Sequence, residues 1–422
     1  MSITSIEFSN FKNFAETKVD LRRFNVLIGA NASGKSNFVS LFRFIRDTTE
    51  EGMENAISMQ GGIENFRNIN LGSSKDFSLK IKCEPNYEYY STKKYRGRML
   101  LIRITETNYD LVLEFYKTKL GFSIKKDEIA RKFQLFFEEK KTRKREFLGE
   151  GDVSIIKTAS NIKYPYNLPE GVKVAPEAIF FSYPFRRFKH SLKEPLIESP
   201  VAYITPFARP FCDINIYDIE PKLAKKAVPI TGKVRLKEDG SNIAIVLSHL
   251  LRNRKKEKKF YNLMKEYLPF IEKADIDKIA DKSLLLKFKE KYFQNMYLPA
   301  SLISDGTIRV AALIIALYFE NIGPSEPAAL KIIEEPERNI HPYLISKLIN
   351  MMKDASELNQ IISTTHNPEI VKYADLDDIL LISRDKEGYS TIFRPTEKKE
   401  IKTFLENDIG VEELYVQNLL SI

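Results

Sequence analysis

Phe24-Asn25-Val26-Leu27-Ile28 is a short apolar run that meets Gly29-Ala30-Asn31-Ala32-Ser33-Gly34-Lys35-Ser36, and a helical pattern then begins at Phe38, Leu41, Phe42 and Ile45. This order of buried strand, glycine-rich turn and amphipathic helix constrains the chain more than any other feature. β-Branched and aromatic residues mark the run as a strand, and apolar residues at i, i+3, i+4 and i+7 mark the helix. Glycines let the backbone turn tightly enough for successive amide N–H groups to converge on a polyphosphate. The following helix adds the positive end of its dipole. Gly29, Ala30, Asn31, Ala32, Ser33, Gly34, Lys35, Ser36 and Asn37 are therefore the candidate nucleotide-binding segment. Lys35 is directed at the β- and γ-phosphates and the Ser36 hydroxyl at Mg2+. The competing reading, a glycine-rich turn without nucleotide, loses ground to the strand before it and the helix after it.

A second constellation lies almost three hundred residues later. Leu330 to Ile333 reads as a strand and leads directly into Glu334-Glu335-Pro336-Glu337. Carboxylates at the carboxyl end of such a strand hold metal and water in a nucleotide-binding α/β sheet. Glu334 is assigned to magnesium, directly or through water, and Glu335 to polarising the attacking water. The next strand, in Ile361-Ile362-Ser363-Thr364-Thr365, ends at His366, one of four histidines in the chain. A lone histidine there is ordinarily structural; in this order it reads as a γ-phosphate sensor. Ser304-Asp305-Gly306-Thr307 opens a helix that continues to Phe319. Its exposed N–H groups make an anion site, and simple capping with an Asp-Gly turn is the plain alternative.

The remaining chain divides by composition. Residues 1–70 and 300–422 are expected to form a discontinuous nucleotide-binding core, 71–235 a β-rich lobe with insertions, and 236–299 a helical, Lys-rich segment. Within the lobe, Phe77 to Cys83, Met99 to Thr105, Tyr109 to Tyr116 and Ile179 to Ser182 read as strands. From Asn242 to about Tyr297 the spacing reads as helical, and His341 to Met352 as a further helix. No apolar heptads persist, so coiled-coil arms are not expected. The longest apolar run, Val310 to Phe319, has ten residues, about half of the ~20 needed to span a bilayer. With no hydrophobic signal core at the N-terminus, a cytoplasmic protein without membrane contact is expected. Cys83 and Cys212 are too few and too far apart for zinc or a disulfide framework.

GANASGKS at 29–36, LISDGT at 302–307, LKIIEEPERNIHP at 330–342 and IISTTHNPE at 361–369 together resemble the ATPase head of the ABC superfamily. The nearest branch is the RecF/SMC-like group, and within it the AAA-family ATPases related to the OLD nucleases. Leu236-x-x-Asp239-Gly240-Ser241-Asn242, followed by Val246-Leu247, resembles a stretch of the same group. The resemblance implies an α/β P-loop head with a mixed sheet, an antiparallel β-lobe and a helical insertion. It also implies two heads sandwiching two ATP molecules with Mg2+. Lys35 and Ser36 would then act in cis, and Ser304, Asp305 and Gly306 would meet the γ-phosphate in trans. Gln60, in SMQGG, is the candidate for the glutamine that links metal to the lobe. Three departures stand out. Asp305 replaces a glycine, Glu334 replaces an aspartate, and the tail after His366 is too short for a TOPRIM nuclease, so any nuclease is expected on another polypeptide.

Net charge is +9, with two basic runs: KKTRKR at 140–145 carries five basic residues in six, and RNRKKEKK at 252–259 six in eight. Each is read either as a salt-sensitive DNA or RNA contact or as a solvated face. The leading expectation is an ATP-hydrolysing head that forms a homodimer or higher oligomer. It would switch a nucleic-acid-associated process such as anti-phage defence, with a separate nuclease or toxin effector. Its competitors are an ATP-bound scaffold with negligible turnover and a repair or recombination loader.

Overall fold

The computed structural model describes residues 2–84, 87–91, 94–138, 144–158, 161–173, 194–198, 211, 213–230, 232, 234–280, 282–293, 296–320 and 330–397. In chain order the principal strands begin with β1 (Ser2–Phe11), β2 (Phe14–Asp20), β3 (Phe24–Ile28), β4 (Phe77–Glu84), β5 (Leu100–Phe115), β6 (Phe122–Glu138) and β7 (Arg145–Lys157). They continue with β8 (Ile214–Tyr217), β9 (Ile271–Ile279), β10 (Ser283–Glu290), β11 (Leu330–Glu334), β12 (Gln360–Thr365), β13 (Ile379–Arg384) and β14 (Ser390–Phe393). The principal helices are α1 (Lys35–Glu51), α2 (Met53–Met59), α3 (Ile243–Leu251), α4 (Arg254–Tyr267), α5 (Asp305–Tyr318), α6 (Ile345–Ser356) and α7 (Pro368–Tyr373).

The nucleotide-type sheet has six strands in the order β8-β11-β12-β3-β13-β14. Every pairing is parallel except β13 with β14. All five residues of β3 are buried, as a central parallel strand covered on both faces requires. One strand, β12, separates β3 from β11, so the phosphate loop, the carboxylates and His366 all emerge at the same carboxyl edge. Helix α5 is the hub behind that edge: eleven of its fourteen residues are buried, the pattern of a helix enclosed all round. Two buried cations fasten it to β11. Lys331 Nζ donates to the carbonyls of Ala316 and Leu317 at 2.6 and 3.1 Å, at the helix's negative end. Near the other end Arg309 Nη1 donates to the Glu335 carbonyl at 3.1 Å.

The lobe is an antiparallel sheet whose main path runs β7-β6-β5-β4-β1-β2. Its inner face and helix α1 share one core rich in phenylalanine, in which Phe8 and Phe14 lie 5.0 Å apart and Phe44 and Phe66 4.8 Å apart, all edge to face. Thus α1 joins the two sheets. Because β1 pairs with both β2 and β4, the lobe sheet reaches across the boundary expected at residue 70. Met99–Thr105 and Tyr109–Tyr116, read as two strands, lie along one long strand; a register shift between Ile104 and Glu106 absorbs the break in alternation. Burial pushes the Cys83 thiol up to about 12, leaving it a packing residue. Ile179–Ser182 and Cys212 lie outside the described residues.

The segment expected to be helical from 242 to 297 is helical only as α3 and α4. Residues 271–290 form the β9–β10 hairpin instead. Leu284, Leu286 and Phe288 are buried alternately along β10, a period of two beneath a Lys-rich composition. The helix expected from His341 begins at Ile345, after a short 3-10 turn at Pro342–Leu344. The fold class expected from the motifs holds: an α/β head with a mixed sheet, an antiparallel lobe and an additional α-helical segment.

Candidate functional site

The phosphate loop is held from outside by the β13–β14 hairpin and the β1–β2 turn. Ser390 donates its hydroxyl to the Ser33 carbonyl, Arg384 Nε donates to the Ala32 carbonyl at 3.0 Å, and Asn37 Nδ2 donates to Asn13 Oδ1 at 2.8 Å. Ala32 and Gly34 have φ of 61° and 117°, which bends the loop into a cradle. At Gly34 an added Cβ would stand 2.7 Å from Asn13 Nδ2, so glycine is required both for conformation and for space. Lys35 Nζ folds back on the loop, donating to the Gly29 and Ala30 carbonyls at 2.6 and 2.9 Å. Burial lowers its pKa, and the Glu335 and Glu337 carboxylates partly restore it. The buried Ser33 hydroxyl has no hydrogen-bond partner among the described residues.

The carboxylates stand across from this loop, each held differently. Glu334 Oε1 takes a 2.6 Å bond from Arg43 Nη2 of α1; burial raises its pKa against the pull of that guanidinium. Glu335 adopts φ 42°, an uncommon left-handed conformation, with its N–H on the Thr364 carbonyl at 2.9 Å. Its Oε2 accepts from Arg338 Nε at 3.0 Å, and its Oε1 lies 2.8 Å from His366 Nδ1. Burial pushes this carboxyl up, but Arg338 and then His366 outweigh it and hold the pKa below the usual value. Glu335 and His366, assigned separate roles from sequence, are therefore in direct contact. Glu337, given no role from sequence, is 6% exposed. Its Oε1 accepts from Thr365 Oγ1 at 2.5 Å, while its Oε2 is buried without a partner among the described residues, and burial raises its pKa.

At the start of α5 the Ser304 hydroxyl accepts from Thr307 N at 3.1 Å, so it caps its own helix. Asp305 pairs with Lys225 at 2.5 Å, which neutralises the charge that this residue adds to the motif. Gly306 is packed so closely that a Cβ would meet the Asn339 carbonyl at 2.6 Å, joining the helix start to the loop that follows the carboxylates. Gln60 caps α2 and donates weakly to the Ser40 carbonyl at 3.4 Å, one helical turn along from Ser36.

These features fit a nucleoside triphosphate. The cradle admits no side chain at Gly34, and among the described residues Lys35 is bonded only to carbonyls that phosphate oxygens can replace. Mg2+ also fits: Ser36 is exposed, and Glu334 Oε2 accepts no hydrogen bond among the described residues. Sequence reasoning missed Arg43, Glu238, Glu337, Thr365 and Arg338. The only signal was the 236–247 stretch, in which Glu238 sits.

The two basic runs differ. Lys140 to Arg143 lie outside the described residues, and Arg145 is paired with Glu88 and Glu138 at 2.9 and 3.3 Å. In the second run Arg252, Arg254, Lys255, Lys256, Lys258 and Lys259 are all exposed. Among the described residues none of them forms an ion pair, although Lys259 lies 5.1 Å from the Tyr318 ring.

Among solved structures, the chain is similar to an SMC head bound to the C-terminal winged-helix domain of ScpA (14% identity, TM-score 0.49, 93% of this chain and 98% of that one). It is also similar to the SMC head domain of Thermotoga maritima (13%, TM-score 0.38, 93% and 99%). A third is the Pyrococcus furiosus SMC head with an extended coiled coil, bound to the C-terminal domain of ScpA (12%, TM-score 0.45, 96% and 99%). A curated relative, Uncharacterized protein MJECL43 of Methanocaldococcus jannaschii, is 29% identical over 92 residues. That match covers 21% of this chain and only 24% of the relative's length. No described helix is long and apolar enough to cross a membrane. Over residues 1–371 the sequence matches the family described as AAA ATPase domain, and the chain belongs to that family.

Proposed function

We propose that the chain binds ATP between the phosphate loop and the carboxylate edge and hydrolyses its γ-phosphate. Lys35 leaves the loop carbonyls for the phosphates, the loop amides cradle them, and Glu335 orients the attacking water. His366, bonded to Glu335, faces the γ-phosphate and holds the carboxylate in place. Ser36 and Glu334 would hold Mg2+, with Gln60 a weaker candidate; bound there, the ion neutralises charge on the phosphate oxygens. The observation that carries this reading is Glu335, fixed between Arg338 and His366 at the edge where the phosphate loop also emerges. Turnover of ATP by the purified chain with Mg2+ tests it. Tight ATP binding without turnover would instead favour a nucleotide-held scaffold, a reading supported by the hold of Arg43 on Glu334.

The wider role proposed is a head-to-head homodimer in which Ser304 and Gly306 meet the γ-phosphate held by the partner. The unpaired basic start of α4 supports contact with DNA or RNA. Charge reversal of Lys255, Lys256 and Lys258 is expected to flatten the salt dependence of DNA binding by roughly one log–log unit per lost phosphate contact. An unchanged slope returns this face to plain solvation. A defence setting with a separately encoded nuclease or toxin rests on the motif resemblance alone.

A further inference from the structure

Glu334 does not stand free at the end of β11. Its Oε1 is 2.6 Å from Arg43 Nη2, and the same guanidinium donates through Nε to Glu238 Oε1 at 2.9 Å. The other oxygen of Glu238 lies 3.4 Å from Arg46 Nη1. Arg43 is thus shared by two carboxylates that come from opposite sides of the molecule's sequence, one at the nucleotide edge and one just before α3. These side chains are only partly exposed, 24% for Arg43 and 13% for Glu334, so solvent screens the pair incompletely. A glutamate at this position has one methylene more reach than an aspartate, and here that reach ends on α1.

A guanidinium and a hard divalent cation compete for the same carboxylate, through its lone pairs and through their own mutual repulsion. Removing the arginine from Glu334 therefore favours metal there, and tightening its grip disfavours metal. Glu238 acts in the opposite sense, because the charge it draws from Arg43 is charge withdrawn from Glu334. We infer that Arg43 is a positioning residue that sets the Mg2+ requirement of nucleotide binding, with Glu238 as its counterweight. This rests on the reading that ATP and Mg2+ occupy the site. It also gives the unexpected Glu334 a physical purpose: the longer side chain makes metal capture conditional on where Arg43 points. Since Glu238 leads directly into α3 and then the basic start of α4, anything that shifts that segment changes the metal requirement.

The test is a Mg2+ titration of the binding of a fluorescent, non-hydrolysable ATP analogue to the full chain, so that the readout is binding and not turnover. Glu238→Gln, which keeps size and leaves Arg43 wholly to Glu334, is expected to raise the half-saturating Mg2+ concentration by roughly fivefold, the upper range for a partly exposed ion pair. Arg43→Gln is expected to lower it, and Glu334→Asp, too short to keep the arginine contact, to lower it as well. A merely structural role would move all three in one direction, through weaker folding. Shifts of a single sign, or no shift in folded Glu238→Gln, overturn the inference while leaving ATP binding intact. Should the wild-type chain bind no analogue at any Mg2+ concentration, the proposed function falls and the inference with it. If Arg43→Gln fails to fold, the opposed signs of Glu238→Gln and Glu334→Asp decide the matter.

Discussion

The two halves of the site are built by different means. The phosphate loop is a backbone structure: its shape comes from Ala32 and Gly34 at positive φ, and its proposed donors are main-chain amides within one stretch of sequence. The carboxylate edge is a side-chain structure. Glu334, Glu335 and Glu337 are held by Arg43, Arg338, His366 and Thr365, which come from three separate stretches of the chain. A backbone site tolerates changes in its surroundings but no change at its own few positions. A side-chain site should degrade by steps as its partners are removed. That difference can be broken by experiment.

The largest effect is expected at the loop. Lys35→Ala removes the cation proposed to meet the phosphates and is expected to cost about 2–5 kcal/mol in ATP affinity. The fold should persist, because among the described residues the lysine bonds only to the Gly29 and Ala30 carbonyls. Gly34→Ala should match that loss, since a Cβ at φ 117° meets Asn13. Near wild-type affinity by calorimetry in either variant would show that the loop is not the phosphate site. The next effect concerns assembly. Ser304→Arg is expected to spare ATP binding yet abolish ATP-dependent dimers seen by mass measurement. Mixing it with Lys35→Ala should restore one composite site. If every such mixture is inert with both chains folded, the site is built within a single subunit.

The smallest effect is expected at the carboxylate edge. Thr365→Val deletes the only side-chain donor to Glu337 among the described residues and is expected to destabilise the chain by roughly 1–3 kcal/mol, read from the denaturant midpoint. Replacing Glu337 by Gln in the same chain should recover part of that loss, because the buried charge is gone. Equal midpoints for Thr365→Val and wild type would mean that Glu337 needs no partner, and the stepwise picture would fail.

The same contrast explains what could be read from sequence. Strand β3, the loop and α1 form one contiguous stretch whose periodicity and glycines state their own geometry. The places of Glu334, Glu335 and His366 at strand ends were legible because each closes or follows a short β-like run. Their partners were not: Arg43 is an ordinary helix residue until β11 brings Glu334 to it, and Glu238 lies 195 positions away from that arginine. The β9–β10 hairpin was misread because lysines and leucines suit a helix by composition, while the burial of Leu284, Leu286 and Phe288 follows a period of two that only pairing reveals. The capping by Ser304 shows the limit again, for a helix cap and an anion site use the same residues.

The central claim is that these two differently built halves form one hydrolytic site, with Glu335 as the group that orients water. Its most direct test is ATP turnover measured beside ATP-bound dimer for Glu335→Gln and Glu334→Gln, each with Mg2+. Glu335→Gln keeps size and most hydrogen bonding but removes the base, so turnover should fall about a hundredfold or more while the ATP-bound dimer accumulates. Glu334→Gln should instead weaken Mg2+-dependent binding and give fewer dimers. Normal hydrolysis by Glu335→Gln, or the reverse pattern between the two variants, would contradict the account.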